Sequence, residues 1–131
     1  MILVTDGEQR SSLAVVRSLG RAGHQVAVCS AHQGPLAGAS RHCRGAHRVP
    51  DPATNADGFT RAVDQLVDAL GVRVLMPMTD VSAPLLLGLR ERRPELTIPF
   101  PDLDAYERLS DKAQLIRMAA ELGEPVPQPC P

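Results

Sequence analysis

Short apolar runs alternate with longer stretches of helical period along this chain, and that order restricts the fold more than any single motif. Ile2-Leu3-Val4 reads as a buried strand and stops at Thr5-Asp6-Gly7. Leu13, Val16 and Leu19 then recur at helical spacing, with Ala14 and Val15 widening the apolar face, and Gly20 and Gly23 close that helix. Val26-Ala27-Val28-Cys29 is a second buried strand. Residues 30–45 carry Gly, Ala, Ser and His without a period and read as a loop with room for one short helix. Arg48-Val49 is expected as a short third strand, stopped by Pro50 and Pro52. Phe59, Ala62, Val63, Leu66, Val67 and Leu70 form the cleanest helical stripe, with Thr54 or Asn55 as its cap and Gly71 as its stop. Residues 72–76 are expected as strand four, 80–92 as a helix with Pro84 tolerated in its first turn, and Leu96-Thr97-Ile98 as strand five.

Strands that are near-continuous apolar runs, broken only by Arg73 and Thr97, belong to a parallel sheet covered on both faces. Right-handed crossovers make this a doubly wound, Rossmann-like α/β domain of about five strands. Ligands bind such sheets outside the carboxyl ends of the strands. Four loops occupy those ends: Thr5-Asp6-Gly7-Glu8, Ser30-Ala31-His32, Pro50-Asp51 and Pro77-Met78-Thr79-Asp80. Glu8 and Asp80 are the candidate substrate-binding carboxylates. Asp80 could hold an amine or hydroxyl of a substrate, or cap the following helix. Asp6 reads as a cap of the first helix, with Gln9 as reciprocal partner.

The last helix is announced by Ser110-Asp111-Lys112. Asp111 is an N-cap, Gln114 stands at the capping-box position, and Leu115, Ile116, Met118, Ala119 and Leu122 recur on one face before Gly123. Lys112 therefore falls in the first turn, where a cation is unfavourable for the helix alone but joins free N–H groups in a seat for an anion such as nucleotide phosphate. An exposed lysine on an amphipathic helix is the alternative reading. The domain is expected over 1–109, with the Asp-Lys helix and a stiff proline-rich spacer over 110–131.

Several function classes are disfavoured. The first turn is not Gly-x-Gly-x-x-Gly and no Gly-Lys-Ser/Thr occurs, so the architecture does not imply NAD, FAD or a P-loop. A formal net charge of −1 and 2% aromatic residues leave neither a basic footprint nor a stacking platform for nucleic acid. The longest apolar stretch, Ala83 to Leu87, is too short for a membrane span. The N-terminus lacks the pattern of a signal peptide, and the 3 cysteines, Cys29, Cys43 and Cys130, form no disulfide framework, so a cytoplasmic setting is expected. Cys43 and His47, with His42 adjacent, are too few for a metal centre, and no catalytic residue or metal ligand is assigned.

Four segments resemble one family. Residues 2–8 are similar to its opening strand and Gly-Glu turn. Ala39-Ser40-Arg41-His42 through Val49-Pro50-Asp51-Pro52 is similar to its Ser-Arg-aromatic segment and Val-Pro. Leu75-Met76-Pro77-Met78-Thr79-Asp80 looks like its fourth strand and acidic loop. Ser110-Asp111-Lys112, with Ala119-Ala120-Glu121-Leu122-Gly123 and Val126-Pro127, looks like its Asp-Lys helix and Gly-x-Pro-x-Pro exit; this match is the most specific. The chain thus resembles the pre-ATP-grasp domain of ATP-grasp ligases, as in biotin carboxylase and carbamoyl-phosphate synthase large-subunit-like enzymes. The resemblance implies that Lys112 touches ATP phosphates, that Glu8 and Asp80 lie by the substrate, and that the full-length enzyme uses ATP and Mg²⁺. It implies small-molecule carboxylate and amine (or thiol) substrates joined through an acyl phosphate, and a possible homodimer. It also implies a further ATP-grasp domain beyond residue 131, without which this fragment neither catalyses nor holds a cofactor. The competing reading is a free-standing flavodoxin-like or receiver-like module binding a small ligand, for which Val49-Pro50-Asp51 is a loose match to a receiver's phosphorylatable Asp.

Overall fold

Residues 1–127 are described in a computed structural model. They fall into two compact units, the first from Met1 to Pro99 and the second beginning at Phe100.

The first unit holds a sheet of β1 (Ile2–Val4), β2 (Val26–Ser30), β3 (Cys43–Arg48) and β4 (Val74–Met76), ordered β3-β2-β1-β4 with every pair parallel. The helices are α1 (Arg10–Arg21), α2 (Ala56–Leu70) and α3 (Ser82–Leu87), with short 3₁₀ helices at Leu36–Ala39 and Gly88–Glu91. From β1 the chain steps outward to β2 and β3, then returns past β1 to β4. With right-handed crossovers, that reversal puts α1 and α2 on opposite faces. Val4, Val26 and Val28 pack on one face with Val16 of α1 and Ala37. Leu3, Ala27, Cys29 and Leu75 alternate with them and are buried toward the other face. All five residues of β2 are buried, as a strand covered on both sides requires.

Helix α2 follows its sequence signals. Asn55 caps it by accepting from the Gly58 N–H at 2.9 Å, Phe59, Val63 and Val67 are buried, and Gly71 closes it in the left-handed conformation with φ 61°. Arg93 clamps α2 to the chain that follows α3. Its Nε donates to Asp64 at 2.6 Å and its two terminal nitrogens donate to the Asp68 carboxylate at 2.7 Å each. Hydrogen bonding to Arg93 lowers the Asp68 pKa and raises that of Arg93.

The structure departs from the expected elements at identifiable places. The third strand is Cys43–Arg48, ahead of Arg48-Val49, and alternates half-buried with exposed residues because it lies at the sheet edge. A register irregularity between Val26 and Val28 accommodates one extra residue of β3. The fifth strand shrinks to one parallel bridge, Thr97 with Val74. Leu96 N–H is taken by Arg93 O, the Ile98 carbonyl accepts from the Arg90 guanidinium, and Pro99 has no N–H, so only Thr97 pairs on both sides. The helix expected over 80–92 begins at Ser82 and tightens to 3₁₀ at Gly88.

The second unit contains α4 (Leu103–Ser110) and α5 (Lys112–Glu121). Asp102 caps α4 by accepting from Ala105 N–H at 2.8 Å, and the Phe100 and Tyr106 rings meet edge to face at 6.0 Å. Helix α4 has no expectation behind it: it is two turns long and buries none of its residues. It lies with α5 in the unit that begins at Phe100. Gly123, with φ 78°, ends α5 as expected. Of the proline-rich exit, Pro129, Cys130 and Pro131 lie outside the described residues. Among the described residues, no helix is long and apolar enough to cross a membrane.

Candidate functional site

The reversal of strand order between β1 and β4 leaves a crevice at their carboxyl ends, and the polar residues of the first unit gather there. Asp6 is the second residue after β1 and is buried, with φ 52°, a left-handed conformation that Asp tolerates better than most residues. Its carboxylate turns toward the loop after β4. Oδ2 accepts from Ser82 Oγ at 2.6 Å, from Met78 N–H at 3.2 Å and from the neighbouring Thr5 hydroxyl. Thr79 closes the network: its hydroxyl donates to Ser82 Oγ at 3.1 Å and accepts from Ser82 N–H at 3.2 Å. Asp6 is therefore not the cap of α1. Gln9 occupies that position without a side-chain bond, and the Asp6 side chain is already committed to β4.

Gly7 explains the lone glycine of this turn. Its N–H reaches Cys29 O at 3.1 Å, and its own carbonyl accepts from Ala37 N–H at 2.7 Å. A Cβ there would meet the Pro35 side chain at 3.1 Å, tighter than an ordinary contact, so any larger residue would have to push Pro35 aside.

A cleft of about 190 Å³ opens over these strand ends. All four loops expected from the sequence contribute to it: Asp6 and Glu8 from the first, Ser30 and His32 from the second, Asp51 from the third and Thr79 from the fourth. Glu8 is half-buried, and its Oε2 accepts from Ser30 Oγ at 2.6 Å. Asp51 Oδ1 accepts from Ala53 N–H at 2.8 Å. Phe59 supplies part of the floor from α2, a contribution its helical spacing could not announce. Beneath the carboxylates, burial first, then Asp6 and Glu8, push the Cys29 thiol far above its ordinary pKa. Cys29 is thus packed core and not a nucleophile.

Asp80 is exposed on the loop between Thr79 and Val81, which both line the cleft while Asp80 does not. The Thr79 hydroxyl accepts from the N–H of Ser82, the first residue of α3. Lys112 belongs to the second unit, as the exposed first residue of α5. Asp111 caps it there: Oδ1 accepts from Ala113 N–H at 2.9 Å and from Gln114 N–H at 3.2 Å, and the Gln114 side chain donates to Oδ2 at 3.2 Å. These bonds, Gln114 N–H foremost, hold the Asp111 carboxyl below its ordinary pKa. Cys43 donates its S–H to Gly45 O at 3.2 Å. No group of three or more His, Cys, Asp or Glu among the described residues could hold a metal ion.

No protein-family model matches this sequence, and no curated protein does. Solved structures do. The biotin carboxylase of Campylobacter jejuni, in its β-γ-ATP complex, matches with a TM-score of 0.72 at 12% identity, over 95% of this chain and 28% of that one. An L-amino acid ligase from Bacillus licheniformis matches with a TM-score of 0.70 at 16% identity, over 96% and 31%. Both are ATP-grasp enzymes, and the matched part is their N-terminal domain. This chain has the pre-ATP-grasp fold. The biotin carboxylase domain dimer of the Hydrogenobacter thermophilus 2-oxoglutarate carboxylase, in complex with MgADP, ADP and bicarbonate, shares the fold with a TM-score of 0.68 at 17% identity, over 95% and 28%. The chain thus spans less than a third of the length of these three proteins, and a pre-ATP-grasp domain is the part of them it covers.

Proposed function

We propose that this chain is the N-terminal, substrate-side domain of an ATP-grasp ligase joining a carboxylate to an amine. The observation that carries the reading is the pre-ATP-grasp fold itself, matched across 95% or more of the chain in enzymes that include an L-amino acid ligase. In this reading a following ATP-grasp domain holds ATP and Mg²⁺, and the two domains enclose the reacting groups. The carboxylate takes the terminal phosphoryl group of ATP, giving an acyl phosphate and ADP. The nucleophile then attacks the acyl carbon and phosphate leaves. Most of the acceleration comes from charge stabilisation of the transferring phosphoryl group.

This chain's residues have two tasks. Lys112, the exposed first residue of α5, meets nucleotide phosphate through its ammonium alone, because the N–H groups of Ala113 and Gln114 already donate to Asp111. The cleft at the β1–β4 crevice, with Glu8 at its wall and Asp80 on the adjoining loop, receives substrate. Its rigidity supports that role, since Asp6, Ser82 and Thr79 tie the two strand ends together. A homodimer is part of the proposal, by analogy with the biotin carboxylase domain dimer.

The test is kinetic, on the full-length protein that carries this sequence. Lys112→Ala is expected to raise KM for ATP or depress kcat while the fold stays intact by circular dichroism. Unchanged ATP kinetics would remove Lys112 from the nucleotide site.

A further inference from the structure

The formal net charge of −1 conceals a segregation of charge along the chain. Residues 9–50 hold 6 arginines, all 4 histidines and not one aspartate or glutamate, so they carry +6 against −7 for all other residues. They build α1, β2, the first 3₁₀ helix and β3, one half of the sheet. Arg10, Arg17 and Arg21 on α1, Arg41 ahead of β3, and Arg44 and Arg48 on β3 are all exposed, and none pairs with a described acid.

The two basic elements meet. Gly20 faces His42 so closely that a Cβ at Gly20 would lie 2.4 Å from the His42 Cβ. This contact joins the last turn of α1, with Arg17 and Arg21, to the start of β3, with Arg41 and Arg44. It lies at the amino ends of the parallel strands, whereas the cleft lies at their carboxyl ends. Arg17 and Arg21 stand one turn apart and line a groove of about 570 Å³ with Ala14, Ser18 and Ala22. Like charges at that spacing repel and weaken a helix, so the fold itself gains nothing from them. β3 is the outermost strand, and among the described residues no strand covers its other edge.

Charge and backbone together select the partner. A second copy placed by a two-fold axis would set arginine against arginine. A nucleic acid would gain phosphate contacts but no stacking, because residues 9–50 contain no aromatic side chain, and the net −7 of the other residues repels a polyanion that runs past the patch. A free strand edge pairs with peptide backbone, and arginines along it admit a segment rich in Asp and Glu while turning away an apolar one. We propose that the α1–β3 edge, centred on Arg17, Arg21, Arg41 and Arg44, docks an acidic, extended segment of a partner protein.

The experiment measures fluorescence anisotropy of labelled peptides with the full-length protein that carries this sequence. A peptide of five Glu-Thr repeats is expected to bind saturably, more weakly as salt is raised, and its Gln-Thr counterpart not at all. The double substitutions Arg17→Gln with Arg21→Gln, and Arg41→Gln with Arg44→Gln, change exposed side chains only. Each is expected to weaken the acidic peptide by roughly fivefold or more. Arg61→Gln with Arg92→Gln removes the same charge from exposed residues outside the patch and is expected to leave binding unchanged. Bound peptide should also slow hydrogen exchange in residues 43–48. An equal loss from the Arg61 and Arg92 pair, unaltered exchange in β3, or no saturable binding of the Glu-Thr peptide would each overturn the proposal. So would tighter binding of duplex DNA or phosphatidylserine vesicles that the patch substitutions abolish.

Discussion

Ser82 Oγ donates to Asp6 Oδ2 at 2.6 Å, joining the start of α3 to the end of β1 across the point where the strand order reverses. Both residues are buried, and the bond is one of three donations to the same oxygen. It sets the width of the crevice in which the cleft lies.

Removing that donor has a defined cost. Ser82→Ala is expected to destabilise the chain by about 1.5–3 kcal/mol, the range for a hydrogen bond to a charged group. Urea denaturation followed by circular dichroism measures it. A loss near zero would mean that the Thr5 and Met78 donors satisfy Asp6 by themselves.

Acid should act on the second unit through Asp111. Its carboxyl pKa is lowered in the folded state by Gln114 and Ala113, so the cap contributes stability above the unfolded-state value and loses it as pH falls through the lowered one. The amide signals of Ala113 and Gln114 should therefore move with a midpoint below the ordinary carboxylate range, and exchange protection of α5 should fall with them. Asp111→Asn, which still caps, should abolish the pH dependence and keep the helix. A midpoint at the ordinary value would show the cap to be open in solution.

Cys29 should resist alkylation. It is fully buried and its thiol pKa is raised by burial and by the carboxylates of Asp6 and Glu8. Iodoacetamide at mildly alkaline pH is expected to leave Cys29 unmodified in the folded chain and to label it after urea, as peptide mass spectrometry would read. Labelling of folded Cys29 at the rate of Cys43, which is only half-buried, would contradict the packing described for β2.

The sheet was legible because β1, β2 and β4 are apolar runs whose burial on two faces leaves no other reading. The same signal is absent from β3, an edge strand in which Arg44 and Arg48 alternate with half-buried Cys43 and His47. It is absent from α4 too, where Leu103-Asp104-Ala105-Tyr106-Glu107-Arg108-Leu109-Ser110 faces solvent and has only Asp102 to mark its start. The four loops that line the cleft could be placed from strand ends alone, and Glu8 among their residues. The partners could not. Asp6 reads as a cap because it precedes a helix at the right interval, and only the tertiary structure brings Ser82, 76 positions away, to its carboxylate. Phe59 likewise reaches the cleft from a helix whose period announces nothing but core.

The most direct measurement is the fate of ATP with the full-length protein. Phosphorus NMR on ATP, Mg²⁺, a panel of small carboxylic acids and a panel of small amines should show ADP and phosphate, formed only when one member of each panel is present. Formation of AMP and pyrophosphate, or ATP consumption indifferent to both panels, would contradict a ligase that works through an acyl phosphate.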